Sequence, residues 1–392
     1  MKIIWINDHA TFAGGAETYV YQTAKDLAER YHAENILLYS SDSRIEPSYA
    51  EVFTFTTVVA DLKEQLKLLK PDLVYVHQVA DNALLKTLSE LNIPVVGFIH
   101  DHKHFCPREH KYTTLGHKTC TKAIGIGCYS CLGVINKRPS FPYIGINTVS
   151  SVRAIQALLK KFKHIIVASD YMKEHLKLHN FDANKISKIA LFSLPAEEVP
   201  ERDTSSDEKR FLFVGQLVRG KGVDTLLNAF ASMQDKSSFL DICGDGKQRA
   251  ELEQQAKDLG IDKRVRFHGK VTAQELGQYY TNAYTVVIPS RAPETFNLVG
   301  VEAMKYGKAV IASNVGGIEE WLKDRENGFN FPSNDTKKLT SILDLAINNP
   351  KIIKEMGESG RKSYKAKFIP EMHSTKLYNL FESLITKDDH AL

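Results

Sequence analysis

Short apolar runs alternate with helix-length segments from one end of the chain to the other. In the first half the runs are IIWIN, NILLYS, DLVYVHQ, VVGFIH and IIVAS, and in the second half RFLFVGQ, FLDICG, VRFHG, YTVVIPS and AVIAS. The segments between them, such as VDTLLNAFASM, have the period of amphipathic helices. Parallel strands that are buried on both faces read as continuous apolar runs. The alternation therefore predicts α/β architecture with doubly wound parallel sheets.

The length of 392 residues corresponds to about two such domains. We predict an N-terminal domain over residues 1–195, a C-terminal domain over 196–370, and a final helix over 371–392 that packs back toward the first domain. The linker is predicted at residues 196–210, AEEVPERDTSSDEKR, because this stretch is polar and has no period.

Composition excludes several classes of protein. The net charge of +4 is too small to indicate nucleic-acid binding, and the basic residues are not interleaved with aromatic ones. The first residues, MKIIWIN, do not have the pattern of a signal peptide, and no apolar run reaches the roughly 18 residues of a membrane span. We therefore expect a cytoplasmic protein.

A basic, glycine-containing loop follows the first strand of the second half. In VGQLVRGKGVDTLL the strand is expected to end at Gln216 and a helix to begin near Val223, with Arg219 and Lys221 between them. Two cations, flexible backbone and a helix N-terminus together suit a diphosphate. The alternative is a solvated basic turn.

Two glutamates lie in PETFNLVGVEAM, between two runs that read as buried strands. If a helix begins near residues 294 to 296, Glu294 and Glu302 are roughly 80° apart around its axis and about 12 Å apart along it. Such a pair can accept hydrogen bonds from hydroxyls on two separate parts of one extended ligand. The alternative is a helix-start residue and a solvated side chain.

Together these stretches resemble a known family. VGQLVRGKG, the two glutamates, SNVGGIEEWL and ENGFNFPSND resemble the C-terminal half of the family 4 glycosyltransferases, and GGAE and IHD resemble the N-terminal half. The resemblance covers about residues 2 to 370 in consistent order. It implies the GT-B fold, in which two doubly wound Rossmann-like domains face a cleft.

The resemblance also implies roles for particular residues. Arg219 and Lys221 correspond to the basic pair on the donor diphosphate, Glu294 to the acid that holds the sugar hydroxyls, and Glu302 to the ribose ligand. His100 corresponds to a histidine beside the transferred sugar, and it completes a catalytic set with Glu294, Arg219 and Lys221. The implied donor-binding residues are Gly15, Gly215, Arg219, Lys221, Glu294, Phe296, Asn297, Leu298 and Glu302.

Two positions depart from the family pattern. Asn297 stands where the family commonly has Gly, and Ser193 stands where many members have Asn. The departure at position 297 bears on how closely a donor sugar approaches the backbone. Ser193 is assigned no role.

The function implied is a retaining glycosyltransferase that uses a nucleotide-sugar donor and needs no catalytic cofactor. The departing diphosphate would take the acceptor's proton. His100 would hydrogen-bond the sugar, and a general base or a satisfied residue at a strand end are the alternatives. The acceptor would be a glycan or a polyprenyl-linked saccharide of bacterial surface polysaccharide synthesis. A nucleotide-sugar epimerase of the same fold and a non-catalytic binding subunit are the alternatives. An NAD enzyme is disfavoured because GGAETYV contains no G-x-G-x-x-G.

Four cysteines lie in an insertion over residues 101–140, which otherwise has few apolar residues. They are Cys106, Cys120, Cys128 and Cys131. In a reducing compartment such a cluster suggests a structural zinc, although free thiols and disulfides remain open and histidines nearby offer alternative ligands.

The segment VRAIQALLKKFKHI places Lys160, Lys161 and Lys163 beside an apolar face of a predicted helix. A basic amphipathic helix can lie on anionic lipid, so we expect peripheral contact with the inner face of the plasma membrane. The alternative is a solvated helix face.

Overall fold

The computed structural model describes residues 1–12, 14–40, 45–79, 81–113, 119–131, 134–137, 144–196 and 208–389. The chain divides into two compact units. The first contains residues 1–111, 121–190 and 370–392, and the second contains residues 112–120 and 191–369. The division after residue 190 lies five residues before the predicted boundary. Residues 112–120 of the insertion belong to the second unit, and most of the predicted linker lies outside the described residues.

The first unit is built on a parallel sheet of seven described strands in the order β3-β2-β1-β4-β5-β8-β9, with a separate antiparallel hairpin of β6 and β7. The strands are β1 (Lys2–Asn7), β2 (Glu34–Tyr39), β3 (Phe55–Val58), β4 (Leu73–Val76), β5 (Val95–Ile99), β6 (Ile135–Lys137), β7 (Ile144–Ile146), β8 (His164–Val167) and β9 (Ile186–Lys188).

Helices cover this sheet, and its central strands are buried throughout, as β-branched runs covered on both faces should be. The helices are α1 (Gly15–Tyr31), α2 (Pro47–Ala50), α3 (Leu62–Leu69), α4 (Asn82–Leu88), α5 (Gly127–Ser130), α6 (Val149–Leu159) and α7 (Asp170–Leu178).

The second unit repeats the plan with a six-stranded parallel sheet in the order β12-β11-β10-β13-β14-β15. Its strands are β10 (Arg210–Val214), β11 (Phe239–Cys243), β12 (Val265–Gly269), β13 (Thr285–Ile288), β14 (Val310–Ser313) and β15 (Gly328–Phe331). Its helices are α8 (Val223–Ser232), α9 (Arg249–Asp258), α10 (Ala273–Asn282), α11 (Leu298–Lys305), α12 (Thr336–Asn348) and α13 (Pro350–Lys367).

The last helix, α14 (Pro370–Asp389), belongs to the first unit. Tyr378 stacks on Tyr31 of α1 with ring centroids 4.1 Å apart. The hydroxyl of Tyr19 lies 2.9 Å from Nε2 of His373, and Nδ1 of that histidine lies 2.8 Å from the carbonyl oxygen of Ala190. These contacts fix the start of α14 beside the point where the chain leaves the first unit.

The strand order of each sheet reverses direction once, between β1 and β4 in the first unit and between β10 and β13 in the second. The two-domain prediction of doubly wound parallel sheets is therefore confirmed. Ligands of open α/β sheets bind at this reversal, outside the carboxyl ends of the strands. In the second unit these are the loops that follow Val214 and Ile288.

Three predicted element boundaries are wrong. β10 ends at Val214, two residues before Gln216. α11 begins at Leu298, after Glu294, because Asn297 has a left-handed backbone with φ of 70° that no α-helix accommodates. α6 ends at Leu159, so Lys160, Lys161 and Lys163 follow the helix and do not lie along its face. In the described part of the chain, no helix is long and apolar enough to cross a bilayer.

Candidate active site

The loops after β10 and β13 are locked together through their backbones. The amides of Arg291 and Ala292 donate to the carbonyl oxygen of Gly220 at 2.7 and 2.9 Å. Gly222, with φ of 69°, caps α8, and a Cβ at this position would lie 2.1 Å from the carbonyl oxygen of Pro289. Only glycine fits here, since both the backbone conformation and the close approach exclude a side chain. These contacts therefore fix the position of the basic loop relative to the loop that carries Glu294.

This arrangement brings two predicted site residues into contact. Nζ of Lys221 donates to Oε1 of Glu294 at 2.8 Å, and Oγ of Ser290 donates to the same oxygen at 2.5 Å. The side chains of Lys221 and Glu294 are 30% and 15% exposed, so the pair is partly accessible to a ligand. Burial raises the pKa of Glu294, but the charge of Lys221 and the hydrogen bonds from Lys221, Ser290 and Asn297 outweigh it and lower the pKa overall.

A glycine from the loop after β14 fixes the backbone of Glu294. The amide of Gly317 donates to the carbonyl oxygen of Glu294 at 2.7 Å. Gly316 has φ of 63°, and a Cβ on it would lie 2.1 Å from that same oxygen. The motif SNVGGIEEWL thus supports the glutamate, a role that could not be assigned from local patterns because the two segments meet only in the fold.

The turn into α11 holds three of the predicted donor residues. Phe296 is fully buried, and its carbonyl oxygen accepts a hydrogen bond from Nε1 of Trp321 at 2.7 Å. Asn297 caps the helix, since its side-chain oxygen accepts from the amide of Val299 at 3.1 Å. Leu298 is the first helical residue. Asn is among the few residues besides Gly that tolerate a left-handed backbone, which explains the departure from the family pattern at position 297.

Glu302 lies in the second turn of α11. Its Oε2 accepts a hydrogen bond of 2.7 Å from the hydroxyl of Tyr280, which is buried. Burial raises the pKa of the Glu302 carboxyl, and the Tyr280 hydroxyl and the charge of Lys305 offset part of that rise. Tyr280 holds one carboxylate oxygen in place. This tyrosine was not identified from the sequence because YY in a helical stretch carries no signal for such a role.

Arg219 and Gly215 flank this arrangement. Arg219 begins a short 3₁₀ helix that ends at Lys221, and its side chain is exposed. Gly215 has φ of 151°, and its carbonyl oxygen lies so near Gly244 that a Cβ there would be 1.8 Å away. Arg219 is therefore held on a tightly packed loop, and its guanidinium points outward without an ion-pair partner among the described residues.

Arg291, which directly follows Ser290, was also not identified from the sequence. Its guanidinium donates to Oδ2 of Asp224 at 2.7 Å and to the hydroxyl of Thr225. From the insertion, Oγ1 of Thr119 donates to the carbonyl oxygen of Arg291 at 2.9 Å, and Tyr112 lies near its guanidinium. This segment of the insertion thus packs on the loop that carries Glu294.

Gly15 and His100 belong to the first unit. Gly15 begins α1, is exposed, and has open space where a Cβ would stand. His100 directly follows β5, and its Nε2 lies 3.0 Å from Nδ1 of His77. Burial lowers the pKa of His100 to about 3, so its imidazole is neutral at physiological pH.

The four clustered cysteines are all half-buried thiols. Cys106, Cys128 and Cys131 belong to the first unit and Cys120 to the second. Among the described residues, no three or more His, Cys, Asp or Glu side chains are grouped in a way that could hold a metal ion. A structural zinc at these thiols stays a prediction.

Two family models match the chain in sequence order. Glycosyltransferase Family 4 matches residues 13–190, and Glycosyl transferases group 1 matches residues 196–363. The chain belongs to the family 4 glycosyltransferases. The solved structure of Anabaena HepE in complex with UDP has the same fold as this chain, with a TM-score of 0.76, 18% identity, and coverage of 98% of this chain and 100% of the other.

Sequence relatives of this chain match over shorter stretches. An uncharacterized glycosyltransferase of Methanocaldococcus jannaschii is 39% identical over 130 residues, which are 33% of each chain. A D-inositol 3-phosphate glycosyltransferase of Corynebacterium kroppenstedtii is 27% identical over 261 residues, 60% of this chain and 56% of the other. The chain spans between 33% and 59% of the length of the first four curated relatives it matches.

Proposed function

We propose that this protein is a retaining glycosyltransferase that moves a sugar from a nucleotide-sugar donor to a glycan or lipid-linked saccharide. The observation that carries the proposal is the contact between Lys221 and Glu294 at the reversal of the second sheet, where an α/β protein binds its ligand. A cation and an ionised carboxylate meet there beside the N-terminus of α8. These are the groups that a diphosphate and a sugar with vicinal hydroxyls require.

Each end of the donor has a matching group in the second unit. Glu294 stays ionised at neutral pH because of its lowered pKa, so it accepts hydrogen bonds from sugar hydroxyls. Glu302, with one oxygen held by Tyr280, accepts from the ribose hydroxyls. Arg219 and Lys221 bind the diphosphate between them. The two glutamates thus hold opposite ends of one nucleotide sugar, with the cations between.

Transfer breaks the bond between the anomeric carbon and the diphosphate oxygen and forms a bond to the acceptor hydroxyl oxygen. In the proposed front-face reaction the hydroxyl's proton passes to the departing diphosphate, and the configuration at the anomeric carbon is retained. Lys221 and Arg219 stabilise the negative charge that develops on the leaving group. His100 supports this route because a neutral imidazole with a pKa of about 3 is a hydrogen-bonding partner of the sugar and a poor proton acceptor at neutral pH.

UDP is the first nucleotide to test. Anabaena HepE, which has this fold, was solved with UDP and with UDP-glucose. For the acceptor we propose a glycan or a polyprenyl-linked saccharide of bacterial surface polysaccharide synthesis, reached from the cytoplasmic face of the membrane.

A screen of UDP-, GDP-, ADP- and dTDP-sugars for binding and for slow hydrolysis tests the proposal. The expected result is that one nucleotide series binds and releases its nucleoside diphosphate, with sugar products of retained anomeric configuration by NMR. A product with inverted configuration contradicts the mechanism. Interconversion of two nucleotide sugars without release would instead identify an epimerase, and binding without any turnover when acceptor is present would identify a binding subunit.

A further inference from the structure

The positive charge of the chain is concentrated in one segment. Residues 110–169 contain nine Lys and Arg residues and no Asp or Glu. The other 42 basic residues are outnumbered by the 47 acidic residues, so the rest of the chain is net negative. The nine cations are Lys111, Lys118, Lys122, Lys137, Arg138, Arg153, Lys160, Lys161 and Lys163.

The same segment exposes large apolar side chains. Ile126 is 88% exposed at the start of α5, and Ile146 is 66% exposed on β7. Tyr129 on α5 and Ile135 on β6 are also exposed. Single exposed apolar residues need no explanation, but four within 21 residues of a segment with no acidic residue do.

A small hydrophobic core supports the elements that carry these exposed residues. Ile124, Val149 and Val152 are buried together, with Cys128 and Val134 packed against them. This core attaches α5 and the β6–β7 hairpin to one face of α6, whose opposite face is exposed.

An arginine at the edge of that core ties the two elements together. The guanidinium of Arg153 donates to the carbonyl oxygen of Ile124 at 3.2 Å. A groove on this surface is lined by Ile126, Tyr129, Val149 and Arg153. The exposed isoleucines are therefore presented by a packed platform.

We propose that the platform formed by α5, the β6–β7 hairpin and the exposed face of α6 docks on an anionic lipid bilayer. Ile126, Tyr129, Ile135 and Ile146 would enter the interface between headgroups and acyl chains, and the exposed cations of the segment, such as Lys122 and Lys161, would neutralise lipid phosphates. The surface relocates the membrane contact expected from the sequence, since Lys160, Lys161 and Lys163 do not form a helix face. The proposed function expects an acceptor at the membrane, and the docking names the surface that would meet that membrane. The docking rests on the proposed function only for the nature of the acceptor.

Sedimentation with vesicles of pure phosphatidylglycerol and of pure phosphatidylcholine tests the docking. The wild type should bind the anionic vesicles, less tightly as salt rises, and should not bind the zwitterionic ones. The double variant Ile126→Ser/Ile146→Ser should bind at least about tenfold more weakly. Leu68→Ser is the matched control, because this leucine is 82% exposed on α3 of the same unit but lies outside the segment.

A second variant, Lys122→Gln/Lys161→Gln, tests the charge, and about tenfold weaker binding is again expected. Absence of wild-type binding to phosphatidylglycerol, equal binding to both lipids, or full binding by either double variant would overturn the proposal. So would self-association of the wild type in ultracentrifugation that the isoleucine variant abolishes, since a second copy would then occupy the platform.

Nucleotide titration of the same proteins without vesicles separates this proposal from the proposed function. The platform variants should bind the nucleotide as the wild type does. A protein that binds anionic vesicles and no nucleotide sugar would leave the docking intact and reject the glycosyltransferase proposal.

Discussion

Replacement of Gly316 by alanine should disable the site without touching any group that meets the ligand. A Cβ at this position would lie 2.1, 2.6 and 2.9 Å from the carbonyl oxygen, amide nitrogen and carbonyl carbon of Glu294. These are backbone atoms, so no side-chain rotation relieves the clash. A contact of about 3 Å requires the backbone of Glu294 to move by roughly 1 Å, and a displacement of that size lowers an enzymatic rate by about 10².

The same change also costs stability, by two separable effects. An alanine at φ of 63° and ψ of −133°, a conformation nearly confined to glycine, is disfavoured by about 1–3 kcal/mol, and the displaced hydrogen bond from Gly317 to Glu294 adds about 1 kcal/mol. Gly260→Ala is the matched control because Gly260 has φ of 67° and no atom within 4 Å of the place where a Cβ would stand. It should show the cost of a positive φ without the clash.

Thermal unfolding and release of nucleoside diphosphate from the donor are the two assays. Gly316→Ala should melt below Gly260→Ala and lose about 10² in rate, while Gly260→Ala keeps the wild-type rate. Equal melting of the two variants together with wild-type rate in Gly316→Ala would refute the reasoning.

Three further outcomes are expected. Lys221→Ala should lower the maximal transfer rate by about 10² or more. Lys351→Ala is the control, because Lys351 is 89% exposed in α13. A change confined to KM would show that Lys221 only binds the donor and does not stabilise the transition state. In denaturant unfolding, Asn297→Gly should change the free energy of unfolding by only a few tenths of a kcal/mol, because Gly keeps the left-handed backbone. Asn297→Ala should lower it by about 1–2 kcal/mol. Equal costs for the two variants would contradict the assigned turn. If Cys106, Cys120, Cys128 and Cys131 bind zinc, protein purified under reducing conditions without chelator should contain about one zinc per chain, and full activity with none would reject the site.

The order of strands and helices could be predicted because it depends on local patterns. Runs such as LVYV and TVVI are buried at every position in the sheets, as continuous apolar runs in parallel sheets should be. The reversal of strand order then places the loops of Lys221 and Glu294 side by side. The residue pattern at each loop was sufficient to expect a diphosphate and a hydroxyl-bearing ligand there.

Contacts between distant segments could not be predicted in this way. The support of Glu294 by Gly316 and of Glu302 by Tyr280 depends on which segments the sheet and helices bring together. The start of α11 was misplaced because a single left-handed residue, Asn297, delays the helix within a stretch of good helical pattern. Lys160, Lys161 and Lys163 were assigned to a helix face because the apolar period continues past the end of α6.

The central claim is that Glu294 and Glu302 hold opposite ends of one nucleotide sugar. Calorimetric titration of UDP and UDP-glucose into the wild type, Glu294→Ala and Glu302→Ala tests it most directly, with the GDP, ADP or dTDP pair used if the screen selects that nucleotide. Glu302→Ala should weaken binding of both ligands by about 1.5–3 kcal/mol, the range for a hydrogen bond to a charged group. Glu294→Ala should leave the affinity for the nucleotide unchanged and remove only the additional affinity that the sugar provides. If Glu302→Ala binds the nucleotide as tightly as the wild type does, or if Glu294→Ala weakens both ligands equally, the two glutamates do not divide the donor between them.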